Sequence, residues 1–362
     1  MLPAIYQRSL AHSRLIHGKQ RNAIMSYAAS VAPDGGVRCA HGSGSLETRL
    51  VIVGDVHGAW DGTLDGAALD CLKPDMVCFV GDFGEEDVRI VRQVAQLQQH
   101  SKAVILGNHD AWYTDAPGRR VRRSSPGDSQ DGEELENGVQ QQLQLLGSSH
   151  VGYGWAQVPG KSVAIVGARP FSKGGGGWPT GFIESLYPGI SSMEQSAAKV
   201  VEVVKQAASS GLTPVVLAHN APKGLGAAWC DISGIDWRSK PGGDHGDPDL
   251  QMALKQLAAE GIQVPLVLCG HMHHRLYGGK QLRRMVHVDP GFGQVTLNAA
   301  VVPRAKAPPP ESAATRAEAQ QRAALATAGL LSWRHFLVVQ LEEGQAVLAK
   351  NVWVEVEVRG VV

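Results

Sequence analysis

Three short apolar runs, Leu50 to Val53, Met76 to Val80 and Ala103 to Leu106, each break off at a glycine followed by an oxygen-bearing side chain: Gly54-Asp55, Gly81-Asp82 and Gly107-Asn108. Helical spacing separates them. Buried strands alternating with helices impose right-handed crossovers and a largely parallel sheet. In such a sheet ligands lie beyond the carboxyl ends of the strands, so the three polar ends are expected to converge on one site. Two later runs repeat the pattern. Pro214 to Ala218 delivers His219-Asn220, and Pro265 to Cys269 delivers Gly270-His271-Met272-His273. Between these two, Asp247-Pro248-Asp249 reads as the capped start of a helix running to Glu260, with proline in the first turn, where its missing donor matters least.

The rest of the chain bounds the class. With 362 residues, 43% apolar and 19% charged, it has the balance of a globular α/β protein. Lys+Arg and Asp+Glu both total 34, so no global field favours nucleic acid or an anionic membrane. No apolar run approaches the roughly 20 residues of a membrane span. The five cysteines form no CxxC pair, which argues against a thiolate zinc site and against structural disulfides. Residues 1–48 read as a leader. Met1 to Pro33 has no acidic residue, and its basic residues are interspersed with serine, which resembles an organellar transit peptide. The expected location is the chloroplast rather than the mitochondrion, with the cytoplasm as the alternative. Residues 49–300 read as the catalytic domain, with a polar insertion at 114–137 whose basic and acidic runs neutralise each other. Residues 301–330 read as a linker or surface helix, and 331–362 as terminal strands, expected to finish a second sheet.

The polar blocks carry the chemistry. A pair of divalent ions about 3.5 to 4 Å apart needs mixed nitrogen and oxygen ligands, a bridging carboxylate, and open positions for water and substrate. Asp55, Asp82 and Asn108 offer oxygen, and His57, His219, His271 and His273 offer imidazole. A set this rich in imidazole favours Mn, Fe or Zn over Mg or Ca. His274 follows His273 directly, and alternation in an extended segment points the two apart.

In this order the blocks resemble the calcineurin-like metallophosphoesterase superfamily, over roughly Leu50 to His273. The resemblance implies a four-layer α/β/β/α sandwich of two mixed sheets flanked by helices. It implies two divalent metal ions, one held by Asp55, His57, Asp82 and His273, the other by Asp82, Asn108, His219 and His271. Asp82 is the implied bridge, His109 the implied general acid, and Asp110 a supporting residue behind them. The implied reaction is attack of a metal-bridging hydroxide on a phosphomonoester or phosphodiester.

Departures from the family pattern narrow the substrate. Ser/Thr protein phosphatases of the family carry a clamping arginine after the second block, whereas here Asp82 is followed by Phe83-Gly84-Glu85-Glu86. A small phosphorylated or nucleotide-like substrate is therefore expected, with a phosphoprotein phosphatase as the alternative. His245, in a loop resembling one of the small-substrate members, is a substrate-contact candidate, as are Arg169, Lys173 and Arg275. Trp112, Trp155, Trp178 and Trp237 read as packing elements, with a base-binding pocket as their alternative. Two readings from other classes are a non-catalytic binding module on the same fold and a structure-specific nuclease. Intact ligand blocks oppose the first, and net neutrality opposes the second.

Overall fold

The computed structural model describes residues 47–115, 138–178, 181–237, 240–291, 293–309, 312–313 and 315–357. Residues 1–46 of the expected leader and nearly all of the polar insertion lie outside the described residues, whereas Glu47 and Thr48, placed in the leader by sequence, already belong to the first strand. In chain order the strands are β1 Glu47–Val53, β2 Met76–Phe79, β3 Lys102–Val104, β4 Trp155–Gln157, β5 Val163–Gly167, β6 Thr213–Leu217, β7 Gly234–Trp237, β8 Lys240–Asp244, β9 Leu266–Cys269, β10 Val286–Val288, β11 Val295–Asn298, β12 Ala305–Lys306, β13 Leu331–Glu342 and β14 Gln345–Glu357. The helices are α1 Gly62–Leu72, α2 Val88–Ala95, α3 Gly138–Leu146, α4 Phe182–Leu186, α5 Met193–Ser209, α6 Pro248–Ala259 and α7 Arg316–Thr327.

Two six-stranded mixed sheets form the body. One has the order β12-β13-β1-β2-β3 with β14 on β13, and the other β10-β11-β9-β6-β5-β4. Within them β1, β2 and β3 run parallel, as do β5, β6, β9 and β11. Strand periodicity explains the layering. Leu50, Ile52, Cys78 and Ile105 point into a core shared with Ile165, Leu217, Leu268 and Leu297 of the other sheet. Their neighbours Val51, Val53, Val77 and Phe79 point the opposite way, into apolar contact with α1 and α2 residues such as Leu64, Leu69 and Val91. On the far side α5 and α6 pack together over the second sheet. The result is the expected four-layer arrangement.

Two expectations are corrected here, and a third is narrowed. The terminal strands do not finish the second sheet: β13 lies antiparallel against β1 in the first, pairing Leu50 with Val339 and Ile52 with Leu337. Asp247 starts α6 but its side chain makes no cap hydrogen bond, because its Oδ1 accepts from Ser172 at 2.5 Å and from Arg169 at 3.1 Å. In the 301–330 segment, α7 has no buried residue and is a surface helix. Among the described residues no helix is long and apolar enough to cross a membrane. Among the described residues, Cys71, Cys78, Cys230 and Cys269 take part in no disulfide.

Candidate metal centre

Every polar block stands where a strand has ended and the backbone must turn hard. Glycine makes this possible in two places above all. A Cβ on Gly107 would lie 2.3 Å from Asp82 Oδ1 and 2.5 Å from a ring carbon of His219, and one on Gly270 would lie 2.2 Å from Asp55 Oδ1. Three of the candidate ligands themselves carry left-handed backbone: His57 at φ 42°, Asp82 at φ 53° and His271 at φ 65°. Non-glycine residues rarely hold that conformation, and where they do it concentrates at functional sites.

The side chains these turns present meet in two lobes that share Asp82. Its Oδ2 lies 3.7 Å from His57 Nε2, while its Oδ1 lies 3.3 Å from His219 Nε2. In the first lobe Asp55 Oδ2 is 3.4 Å from His273 Nε2 and 3.9 Å from His57 Nε2. In the second, His219 Nε2 is 3.0 Å from Asn108 Oδ1. Potential ligand atoms lie within 4.8 Å of one another in Asp55-His57-His273, in Asp82-His219-His271 and in His57-Asp82-His109.

The donor chemistry fits cations. Asp55 and Asp82 are 0% and 1% exposed, and buried carboxylates need compensation. Here their side-chain partners are histidines rather than Lys or Arg. Two imidazole nitrogens, Nε2 of His57 and of His273, face each other at 3.0 Å, an arrangement that a shared cation satisfies for both rings. Burial, reinforced by His219, drives the pKa of His271 down to about 3, which leaves a neutral ring with a free lone pair. Burial also works against charge on His219, but Asp82 beside it holds that pKa up at about 10. His219 Nδ1 donates to the Val80 carbonyl at 2.7 Å, which turns Nε2 towards Asp82 and Asn108.

A further layer fixes these groups. Asp110 is fully buried, and it accepts from the backbone N–H of Asp82 at 2.9 Å, Gly107 at 2.7 Å and Phe83 at 2.8 Å. It thereby ties the second strand end to the third. Its burial, with the Asp82 charge close by, pushes its pKa up to about 8. His109 donates its backbone N–H to Asp82 Oδ1 at 2.9 Å. Its ring stacks on Trp112 at 4.5 Å and 9° and meets His57 edge-on at 4.9 Å.

The site opens into two clefts of contrasting chemistry. One, of about 520 Å³, runs from His57 and His109 past Glu85, Glu86 and Asp87. The other, of about 530 Å³, runs from Asn108 and His271 past Trp112, Trp178 and Trp237. The four candidate substrate contacts fare differently. Arg169, Lys173 and His245 reach the aromatic cleft. The Arg169 guanidinium is 2% exposed and held by Asp247 at 3.1 Å and Asp249 at 2.8 Å, so its charge is already compensated. Lys173 pairs with Asp115. His245 Nε2 donates to the Lys173 carbonyl at 2.7 Å, and its ring lies between Trp237 and His271. Arg275 is exposed on a neighbouring turn, bonded to the Gly279 carbonyl, and lines neither cleft. The carboxylate pair that captures Arg169 was not legible as such. The Asp-Pro-Asp sequence signals a helix start, and its partner lies 78 to 80 residues away.

The family model for calcineurin-like phosphoesterases matches residues 48–275, which hold every block described above. No curated protein matches the chain. Among solved structures, the chain is similar to the 5′-nucleotidase precursor of Thermus thermophilus, at 13% identity and TM-score 0.41, over 86% of this chain and 55% of that one. It is similar to the NAD nucleotidase of Haemophilus influenzae at 10% identity and TM-score 0.40, over 85% and 50%. The chain thus spans about half the length of these two. A dimetal phosphatase of Danio rerio matches over 85% of this chain and 99% of that one, at 10% identity and TM-score 0.33. At such low overlap these likenesses say nothing about substrate.

Proposed function

The chain belongs to the calcineurin-like phosphoesterase family and is thereby a hydrolase of phosphate esters; from that premise we propose that it acts on a small phosphate monoester or diester at a centre of two divalent ions. Asp55, His57, Asp82 and His273 hold one ion in this reading, and Asp82, Asn108, His219 and His271 the other. The observation that carries it is the Asp82 carboxylate, with one oxygen turned to each lobe. Such an ion pair, when bound, acidifies water and neutralises phosphoryl oxygens. The nitrogen-rich donor set supports Mn, Fe or Zn.

The chain's own groups then have distinct tasks. Asp110 holds the two strand ends in register through three backbone N–H groups. His109 stands beside the first lobe, braced by the Trp112 ring, and supplies a proton from its imidazole to the departing oxygen. A small substrate is supported by the absence of a clamping arginine after Asp82 and by the compensated charges of Arg169 and Lys173, which leave phosphate binding chiefly to the ions.

The test is metal-reconstituted turnover of bis-nitrophenyl phosphate against nitrophenyl phosphate, with Mn, Fe, Zn and Mg compared. His109→Ala is expected to keep its bound metal, measured by elemental analysis, and to lose about 100- to 10,000-fold in kcat, most with alkyl esters whose leaving groups are poor. Equal loss on alkyl and nitrophenyl esters would remove the general-acid role. A metal-loaded protein that turns over neither ester would overturn the proposal.

A further inference from the structure

From the contrast between the two clefts we infer that the aromatic cleft seats a planar aromatic group of the substrate, which makes the phosphate ester one of a nucleoside or a similar aromatic alcohol; this rests on the phosphoesterase reading above. Three tryptophans, Trp112, Trp178 and Trp237, line one cleft that ends at Asn108 and His271. Trp60 and Trp333 are covered, at 6% and 4% exposure, and Trp178 is half-buried against the core; Trp229, outside the cleft, is open at 41%. Trp237, within the cleft, is 46% exposed, one of few large apolar side chains left open among the described residues. A face so large stays in contact with water until something flat covers it, and an aromatic group fits that need.

The surroundings point the same way. The Arg169 guanidinium lies 5.6 Å from the centre of the Trp178 ring. Its carboxylate partners hold it still, so the ring it supports is a fixed wall. Trp112 stacks on His109, which joins the aromatic wall directly to the candidate acid. Gly174 and Gly177 line the same cleft, and a Cβ on Gly174 would lie 2.5 Å from the His245 carbonyl oxygen, so the missing side chain lets this loop pack directly against His245. The other cleft carries Glu85, Glu86 and Asp87 against the single arginine Arg89, which Asp87 already pairs at 2.9 Å, so its excess of carboxylates disfavours a phosphate-bearing molecule. An anionic ester therefore enters along the tryptophans, with its phosphate at the ions and its ring against Trp237 and Trp178.

The experiment compares adenosine 5′-monophosphate with ribose 5-phosphate, which carries the same ester without the base. In the metal-loaded full chain, kcat/KM is expected to favour the nucleotide by about tenfold or more, the range of a base stacked on an aromatic side chain. In Trp237→Ala and Trp178→Ala that ratio falls towards one, while Trp237→Phe keeps most of it. Quenching of tryptophan fluorescence by each ligand measures the seat without turnover, so it still decides if no ester is hydrolysed. Preferential quenching by the nucleotide, lost in Trp237→Ala, supports the seat even then. Equal binding of both ligands, or a ratio unmoved by both alanine variants, overturns it.

Discussion

Among the described residues, two of the places where carboxylates are buried follow opposite plans. Asp65, fully buried on α1, is met by Arg304 at 2.9 Å and Arg334 at 3.1 Å, and Arg304 is sandwiched between Trp60 and Phe336. Its carboxylate is neutralised from within the chain. Asp55 and Asp82 are as deeply buried, yet meet only imidazoles and backbone N–H groups, and two of those imidazoles face each other at 3.0 Å. Guanidinium partners complete a charge cluster and make it structural. Imidazole partners, which are neutral ligands once deprotonated, leave a site that wants cations.

The contrast can be broken from the structural side first. Asp65→Ala strands two arginines, one of them 1% exposed, and is expected to cost about 3 to 5 kcal/mol. Urea denaturation measures it. Metal content of the folded fraction should not change. If Asp65→Ala emptied the metal centre at unchanged stability, the division between the two regions would be wrong.

Acid sharpens the same contrast by a smaller amount. Burial holds His150 at a pKa of about 4, and burial with Arg304 nearby holds His335 at about 3, both below the usual 6.5. The unfolded chain therefore binds more protons than the folded one below pH 6.5. Stability is full above that pH and falls as pH drops towards 4 for His150 and towards 3 for His335, by about 1.4 kcal/mol per pH unit for each. Denaturation midpoints at pH 7 and pH 5 should show the loss, and His335→Asn should reduce its slope. Because buried Asp110, with its pKa pushed up to about 8, acts in the opposite direction over this range, the deciding comparison is the variant: a slope unchanged in His335→Asn would contradict the assignment of that ring as buried and neutral.

The two regions also differ in how far the sequence reveals them. The candidate ligands were legible because each sits one to four residues beyond an apolar run, so local pattern and strand topology together place them at one sheet end. Asp110 was identifiable only as a neighbour of His109, and its three backbone contacts come from two separate strand ends. The Asp65 cluster was not legible, since Arg334 joins it from 269 residues away on a terminal strand. The same long-range pairing explains the misplaced terminal strands: β13 is buried along most of its length on both faces, and only its register against β1 shows which sheet it joins. Helix α5 was readable and passed over. Ser192 caps it by accepting from Gln195 N–H, and Ala197, Val200, Val201 and Val204 mark its buried face.

Metal stoichiometry tests the central claim most directly. Elemental analysis of the reconstituted protein should find two divalent ions per chain in the wild type. In Asp82→Asn, which removes the carboxylate shared by both lobes, occupancy of both sites should fall together. Retention of two ions by Asp82→Asn, or loss of one site with the other untouched, would contradict a centre built around Asp82.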